Sequence, residues 1–454
     1  MYSKLNLIAK RAKQDKRVKF TSLIHHINEE NLLLCFAELK RNKACGIDGV
    51  TVNDYESNLK ANIGLLVQRL KGRTYRPLPV KRIYIPKPGK AEKRPLGIPA
   101  VEDKLMQISI KKLLEAIFEQ DFMDCSYGFR PNRSCHDAIN HIDKTIMSKP
   151  INYVVEVDIK QFFDNVSHYW LLRCLEERIS DPNFLWLIRR FLKAGYMELG
   201  NYHNTRQGTP QGGIVSPVLA NIYLHYVLDL WFKKEFSASA IGQVDLVRYC
   251  DDYVAFFSHQ KTAEKFQSEM IARLKKFNLE IAPEKTNLIE FGRNAWQKWK
   301  LGQSRPKTFT FLGFTHFCSN SKRGNFMVSR KTAKESFRRK LKEIQEWIKK
   351  ARCVLSIKDL WQALNIKLLG YYRYFGVSGN MYWLKCFYNK VMQLIFKWIN
   401  RRSQKRSMTR EQFNNYLNCH PIATPKIYVN LFTLSPIGKC SIVEPCVGKS
   451  QARF

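Results

Sequence analysis

Apolar and polar positions change period several times along the chain. Over residues 1–70, apolar side chains recur at helical spacing (Leu32, Leu33, Phe36, Leu39, then Leu59, Ile63, Leu66, Val67, Leu70). That spacing predicts helices, with a tight turn at Gly46-Ile47-Asp48-Gly49 between them. From residue 77 the pattern shortens. Val80–Pro86 reads as a strand, Lys87-Pro88-Gly89-Lys90 as a turn and Arg94-Pro95-Leu96-Gly97-Ile98-Pro99 as a short returning strand, together a basic hairpin. A helix is predicted over 102–121, with Leu105, Ile108, Leu113, Ile117 and Phe118 apolar. Tyr153–Asp158 is a β-branched run ending in a carboxylate, followed by a helix from about Asp164. The most apolar stretch, Ile214–Phe232, is interrupted by Pro217, Asn221, His225 and Asp229, so it reads as a core helix and not a membrane span. Residues 246–257 are two apolar runs joined at Asp251-Asp252, the pattern of a hairpin. Residues 261–277 are predicted helical and 309–317 a strand pair. From 330 onward the pattern is helical, with Phe337, Leu341, Ile344, Trp347, Ile348 and Ala351 on one face and Arg338, Arg339, Lys340, Lys342, Lys349 and Lys350 filling the rest.

Composition narrows the class. With 454 residues and 45% apolar content, the chain can bury large cores, which excludes a disordered basic tail and sets a prior of two or three domains. It carries 76 Lys+Arg against 39 Asp+Glu, a net charge of +37. An excess of this size calls for a polyanionic partner. Nucleic acid is the default and an anionic membrane surface the competitor. The charge is uneven: residues 293–410 hold 28 Lys/Arg and 4 Asp/Glu, a net +24. Charge on helices after the last strands fits a grip on a duplex or folded RNA, which leaves the membrane little to explain. The 12 Cys form no C-x-x-C pair, so no zinc ribbon or redox motif is expected. The first twenty residues are basic but lack an apolar h-region, so the expected compartment is a reducing cytoplasm.

Three carboxylates carry the candidate chemistry. Asp158 ends one apolar strand, and Asp251 and Asp252 sit at the tip of an apolar hairpin. Adjacent Asp residues inside a hydrophobic strand pair are costly, because like charges repel and burial adds to the penalty. Divalent cations remove that cost, and two of them about 4 Å apart catalyse in-line phosphoryl transfer. An ordinary turn is the alternative.

The wider context resembles the reverse transcriptases encoded by bacterial and organellar group II introns. Arg248-Tyr249-Cys250-Asp251-Asp252-Tyr253-Val254 is similar to the palm hairpin of that family, and Val157-Asp158-Ile159-Lys160-Gln161-Phe162-Phe163-Asp164-Asn165 to its first catalytic strand. Ser126-Tyr127-Gly128-Phe129-Arg130-Pro131, Gln207-Gly208-Thr209-Pro210-Gln211-Gly212-Gly213, Arg94-Pro95-Leu96-Gly97-Ile98-Pro99, Pro283-Glu284-Lys285-Thr286 and Phe311-Leu312-Gly313-Phe314 fit in order and spacing. The resemblance spans about residues 40–320 and extends weakly through the basic helices. It implies an α+β right-hand polymerase, with fingers and palm built on antiparallel sheet and a helical thumb. The expected domains are an N-terminal helical extension and start of the fingers (1–75), fingers and palm (76–320), a thumb or maturase domain (321–400) and a short basic C-terminal segment with DNA binding as its candidate role (401–454).

The same resemblance implies roles for individual residues. Asp158 and Asp251 would ligate two Mg²⁺ ions (Mn²⁺ substituting), with Asp252 in support. Lys87 and Arg94 would clamp the incoming triphosphate, with a solvated basic loop as the alternative. Phe163 would be the steric gate beneath the sugar or else a core ring. Gln211 would line the nucleotide pocket. Lys285 is a candidate acid toward pyrophosphate or a surface Lys. Leu312 and Gly313 would hold the primer end. Arg130 would sit near template and nucleotide, or pair structurally with a carboxylate.

Position 250 is Cys where the family more often has Ala, which raises the prospect of a stray ligand or oxidation site. Cys440 and Cys446 have no adjacent His pair, so a Cys/His-rich nuclease is not expected. Aromatics at Tyr371, Tyr372, Tyr374 and Phe375 interleave with Arg373 and either stack on bases or form a helix core. The expected function is that of an intron-encoded RNA-directed DNA polymerase and maturase, with an RNA template, structured RNA, a DNA primer or target and dNTPs as partners and the nucleoid as a working place. The alternatives are an intron-free enzyme of antiviral defence or DNA repair, and a non-catalytic RNA-binding splicing cofactor.

Overall fold

The computed structural model describes residues 2–86, 93–209, 212–402 and 408–431, with the side chains of Tyr2 and Lys285 left aside. The chain divides into two compact units. Among the described residues, those within 2–138 and 155–288 build the first and those within 139–154 and 289–431 the second. Lys87 and Gln211 lie outside the described residues, as do most of the positions after residue 402.

The first unit opens with helices Tyr2–Gln14, Glu29–Ala37, Val52–Ser57 and Leu59–Lys71, as the spacing predicts. Thr51 and Asp54 form a reciprocal capping box that starts the third of them. The expected turn is present, with Gly49 N donating to Gly46 O and Gly49 at φ 72°. Asp181 caps helix Pro182–Leu192 through Oδ1 and receives the Leu23 and Ile24 amides on Oδ2, so one buried carboxylate ties the N-terminal segment to a helix far along the chain.

The basic hairpin forms as β1 (Val80–Pro86) and β2 (Lys93–Ile98), antiparallel with Ile83 opposite Leu96. It is extended by β4 (Tyr196–Glu198) and β5 (Asn201–His203), in the order β2-β1-β4-β5. Helix Val101–Phe118 buries Leu105, Ile108, Leu113, Ile117 and Phe118. A second sheet joins β6 (Val244–Tyr249), β7 (Asp252–Phe257), β3 (Tyr153–Asp158) and β8 (Asn287–Glu290) in the order β6-β7-β3-β8. The segment from Ser216 is a buried helix that passes into a π segment at His225–Asp229. Among the described residues no helix is long and apolar enough to cross a membrane.

The second unit contains β9 (Phe309–Phe311), β10 (Phe314–Asn320) and β11 (Phe326–Thr332), ordered β11-β10-β9, and helices Lys334–Val354, Ile357–Phe375, Met381–Ile399 and Arg410–Cys419. Here one expectation is corrected. Residues 326–332 are a strand, and the helix begins at Lys334 rather than 330. The strand alternates buried and half-buried positions, but two of its inward residues are Arg330 and Thr332, so the alternation does not read as apolar. Arg330 is nearly fully buried and pairs with Asp143. The predicted apolar stripe of helix Lys334–Val354 packs into one cluster with Trp361, Leu364, Leu368, Phe387 and Ile395.

His316 stands opposite Arg330 on β10, fully buried and stacked on Phe309 at 4.7 Å. Burial, reinforced by the Arg330 charge, lowers its pKa to about 3 from an ordinary 6.5. The folded state therefore keeps His316 neutral, whereas the unfolded chain takes up a proton below about pH 6.5. The stability it contributes is present above pH 6.5 and is lost as pH falls toward 3. His316→Phe should remove this part of the slope. Denaturant unfolding of wild type and variant across that window should show a stability difference that grows with pH and levels off above 6.5.

Candidate active site

Tyr249 pairs with Asp252 across β6 and β7, which leaves Cys250 and Asp251 as the two-residue tip. Cys250 takes the left-handed conformation at φ 60°, costly for a residue with a Cβ. A close neighbour constrains it: a Cβ on Gly128 would lie 2.6 Å from the Cys250 amide nitrogen. Burial, with the nearby Asp251 charge, pushes the Cys250 thiol well above its ordinary value, so it stays protonated.

Asp158 ends β3, the strand beside β7. Burial raises the Asp251 carboxyl above the usual range. Hydrogen bonds from the backbone and Cys250 oppose the rise, the Asp158 charge adds to it, and the Arg94 charge works against it. Asp158 and Asp251 are half-buried, and Asp252 is exposed at the head of β7. Past Asp158 the backbone stays in register with a later segment: Ala282 N donates to Asp158 O at 2.9 Å and Lys160 N to Glu280 O at 2.8 Å. The Pro283–Lys285 turn therefore starts beside the first carboxylate's backbone.

Gln161, at φ 46°, turns the chain from β3 into the short helix Phe162–Asn165. Phe162 enters the core while Phe163 is half-buried. Thr209 N donates to Phe163 O at 2.7 Å, Gly208 N donates to Val166 O at 2.8 Å, and Gly208 O meets His168 Nε2 at 2.7 Å. Gly208 has φ 85°, and a Cβ there would lie 2.7 Å from Asp164 O. Gly212 has φ 102°, and a Cβ there would lie 2.5 Å from Gly97 O on β2. Ile214 N donates to Gln107 Oε1 at 2.7 Å. The glycine-rich segment thus runs from the Phe163 backbone to the strand that carries Arg94, and only glycine permits the two close approaches. Arg94 itself is exposed, opposite Ile85.

Arg130 is buried. Its Nε and Nη2 meet Glu119, and its Nη1 donates to the Met123 and Ser126 carbonyls at 2.7 and 2.9 Å. Of the two roles left open by the sequence, this side chain makes the carboxylate pairing. In the second unit, Leu312 (φ 49°) and Gly313 (φ 76°) form the turn between β9 and β10. Tyr374 Oη donates to Leu312 O at 3.0 Å and Ala333 N to Gly313 O at 2.8 Å. Tyr371, Tyr372 and Phe375 are buried, with Tyr371 stacked on Phe387 at 3.6 Å, so these rings belong to the core while Arg373 is exposed. Sequence reasoning missed Gln107 and His168. The polar Gln107 on the apolar face of a helix was the available signal, and His168 offered none.

Among the described residues no group of three or more His, Cys, Asp or Glu is placed to hold a metal ion. A divalent cation of the hard class needs less, since one or two carboxylates together with substrate phosphates suffice. Asp158 and Asp251 are the residues that would hold such an ion; the Asp251 carboxyl is raised chiefly by burial, and the nearby Asp158 charge adds to the rise.

A sheet with carboxylates at its strand ends, flanked by a glycine-rich loop and a basic hairpin, is the arrangement of a right-hand polymerase fold. The chain belongs to the reverse transcriptase (RNA-dependent DNA polymerase) family, whose model matches residues 85–316. This family works with divalent metal ions and nucleic-acid partners. The group II intron-encoded protein LtrA of Lactococcus lactis subsp. cremoris is 40% identical over 234 residues, covering 50% of this chain and 39% of that protein. Protein YkfC of Escherichia coli (strain K12) is 38% identical over 183 residues, 40% of this chain and 48% of its own. The mitochondrial nuclear intron maturase 4 of Arabidopsis thaliana is 30% identical over 155 residues, 33% of this chain and 19% of that protein. The chain therefore spans less than half the length of each of these relatives. A telomerase from Candida albicans, solved with a fragment of telomeric RNA, superposes with a TM-score of 0.42 at 13% identity, over 81% of this chain and 66% of that one.

Gly128→Ala tests how tightly the carboxylate turn is held. The added Cβ meets backbone, which cannot swing aside. The variant should lose about 1–3 kcal/mol of stability, measured by denaturant unfolding, and primer extension should fall with it.

Proposed function

We propose that this protein is an RNA-directed DNA polymerase encoded by a group II intron, which copies an RNA template from a DNA primer and also assists splicing and retrohoming of its intron RNA as a maturase. The observation that carries the polymerase reading is the pair Asp158 and Asp251, set at neighbouring strand ends with the Asp158 charge acting on Asp251. The intron reading is supported by LtrA, named as group II intron-encoded, and by the maturase relative. The retained carboxylates weigh against a non-catalytic splicing cofactor, and no observation favours the intron-free alternative.

In this reading Asp158 and Asp251 hold two Mg²⁺ ions, with Mn²⁺ able to substitute and Asp252 in support. When bound, these cations offset the charge that develops in phosphoryl transfer. Arg94, already sensed by Asp251, and Lys87 grip the triphosphate by charge-assisted hydrogen bonds. Phe163, anchored through its carbonyl by Thr209, stands under the sugar and rejects a 2′-hydroxyl by bulk. Gln211 lines the nucleotide pocket within the anchored glycine-rich segment. Lys285 donates a proton to the departing pyrophosphate, and Leu312-Gly313 holds the primer end. Arg130 supports the Ser126–Pro131 segment through Glu119 instead of touching template. Fingers and palm occupy about 76–320 and the thumb about 321–400. Exposed Arg338, Lys342, Lys349 and Lys350 on helix Lys334–Val354 supply the face that meets structured RNA. Residues 401–454 serve as a short basic DNA-binding segment. The protein works in a bacterial cytoplasm, at the nucleoid when its target is DNA.

Asp251→Ala should abolish primer extension while leaving RNA affinity within a few-fold of wild type; undiminished extension would refute the assignment. Phe163→Ala should admit ribonucleotides in a single-nucleotide incorporation assay, and unchanged sugar selectivity would remove it from the gate. Reversing the four exposed charges on helix Lys334–Val354 should flatten the dependence of RNA affinity on salt. The same slope after reversal would place the RNA surface elsewhere.

A further inference from the structure

Arg248 lies near the end of strand β6 beside the buried Leu246 and Val247, and it is fully buried. A guanidinium has five N–H donors, and here all five are engaged. Nε donates to Asp229 Oδ1 at 2.8 Å, and Nη2 to Asp229 Oδ2 at 2.6 Å and to Ser126 Oγ at 2.8 Å. Nη1 donates to Asn221 Oδ1 at 3.0 Å and to the Cys250 carbonyl at 2.9 Å. The last bond holds the peptide group that joins Cys250 to Asp251, at the residue forced to φ 60°.

The partners come from three separate segments. Ser126 opens the Ser126–Pro131 stretch, whose backbone also pairs with Arg248: Arg248 N donates to Cys125 O at 2.7 Å and Tyr127 N to Arg248 O at 2.9 Å. Asn221 uses its amide a second time, donating from Nδ2 to Gly128 O at 2.7 Å, and Gly128 is the residue pressed against the Cys250 amide. Asp229 closes the π segment that follows helix Ser216–Leu224, so it and Asn221 both reach the guanidinium from one run of chain. A π segment shifts helical register by one residue, and such shifts recur at functional sites.

We propose that Arg248 is a positioning residue for the reaction: with Asp229, Asn221 and Ser126 it fixes the left-handed Cys250 peptide and thereby sets the Asp251 carboxylate for cation and substrate. This rests on the polymerase reading above. Lysine cannot replace it, because three N–H donors on one nitrogen cannot reach four partners in a planar fork. The surrounding ion pair is internally neutral, so it holds the turn without adding net charge beneath the carboxylates.

The test compares wild type with Arg248→Lys and with Ser126→Ala, which removes one acceptor and leaves the ion pair intact. Three readouts are taken: dNTP steady-state kinetics, Mn²⁺ binding to the free protein by electron paramagnetic resonance, and amide hydrogen exchange of the peptide spanning 248–253. A displaced turn should lower kcat by about 10- to 100-fold in Arg248→Lys. Binding of Mn²⁺ should weaken and exchange at 248–253 should speed up, with KM for the primer-template unchanged. Ser126→Ala should move each readout the same way by less, and it carries the test should Arg248→Lys fail to fold. Cooperatively folded variants with wild-type kcat, Mn²⁺ affinity and exchange would overturn the positioning role. Wild-type protein that neither extends a primer nor binds Mn²⁺ would instead refute the polymerase reading itself.

Discussion

Asp158 and Asp251 are held close enough that the Asp158 charge bears on the Asp251 carboxyl, at the ends of strands rich in buried apolar residues. Such an arrangement opposes folding, since two carboxylates in a poorly hydrated place repel one another and lose solvation. It persists only if surrounding structure over-determines it. The first unit supplies that restraint through a two-residue hairpin tip, a glycine packed against its amide and a saturated arginine beneath it. In the proposed reading the restraint would serve the chemistry, because a cation bound between the two carboxylates would offset their repulsion.

The glycine-rich segment obeys a related constraint. Gly208 and Gly212 sit where a Cβ would overlap backbone oxygens, one from the segment bearing Phe163 and one from the strand bearing Arg94. Side chains that would gate the sugar and grip the phosphates are thereby linked through main chain, and not through flexible contacts. Gln107 and His168 add polar anchors from two helices. Placement of the site thus depends on backbone hydrogen bonds that resist small side-chain rearrangements.

Buried charge pairs recur where the pattern along the chain was hardest to read. Arg248 with Asp229 lies in the first unit and Arg330 with Asp143 in the second, and each arginine takes an inward position of its strand. Breaking such a pair by removing one partner leaves an uncompensated buried charge, which is why neither partner is easily lost. In the sequence these residues look like surface positions. Asp143 and Arg330 are 187 residues apart, and nothing local announces their pairing. For this reason the strand at 326–332 carries no apolar alternation in the sequence.

Local pattern alone determined much. The carboxylate strand ends, the basic hairpin, the helix from 101 and the apolar stripe of the helix from 334 follow from period and from the residue types at turns. Ordered short motifs make the reverse transcriptase family legible in the sequence itself. What only the tertiary structure decided is the work of residues whose partners are distant. It turned Arg130 toward Glu119, placed Tyr371, Tyr372 and Phe375 in a core and made Arg248 the support of the Asp251 turn. The physical reason is that periodicity reports which face of an element is buried, whereas the partner of a buried polar group is chosen by the three-dimensional meeting of segments far apart in the chain.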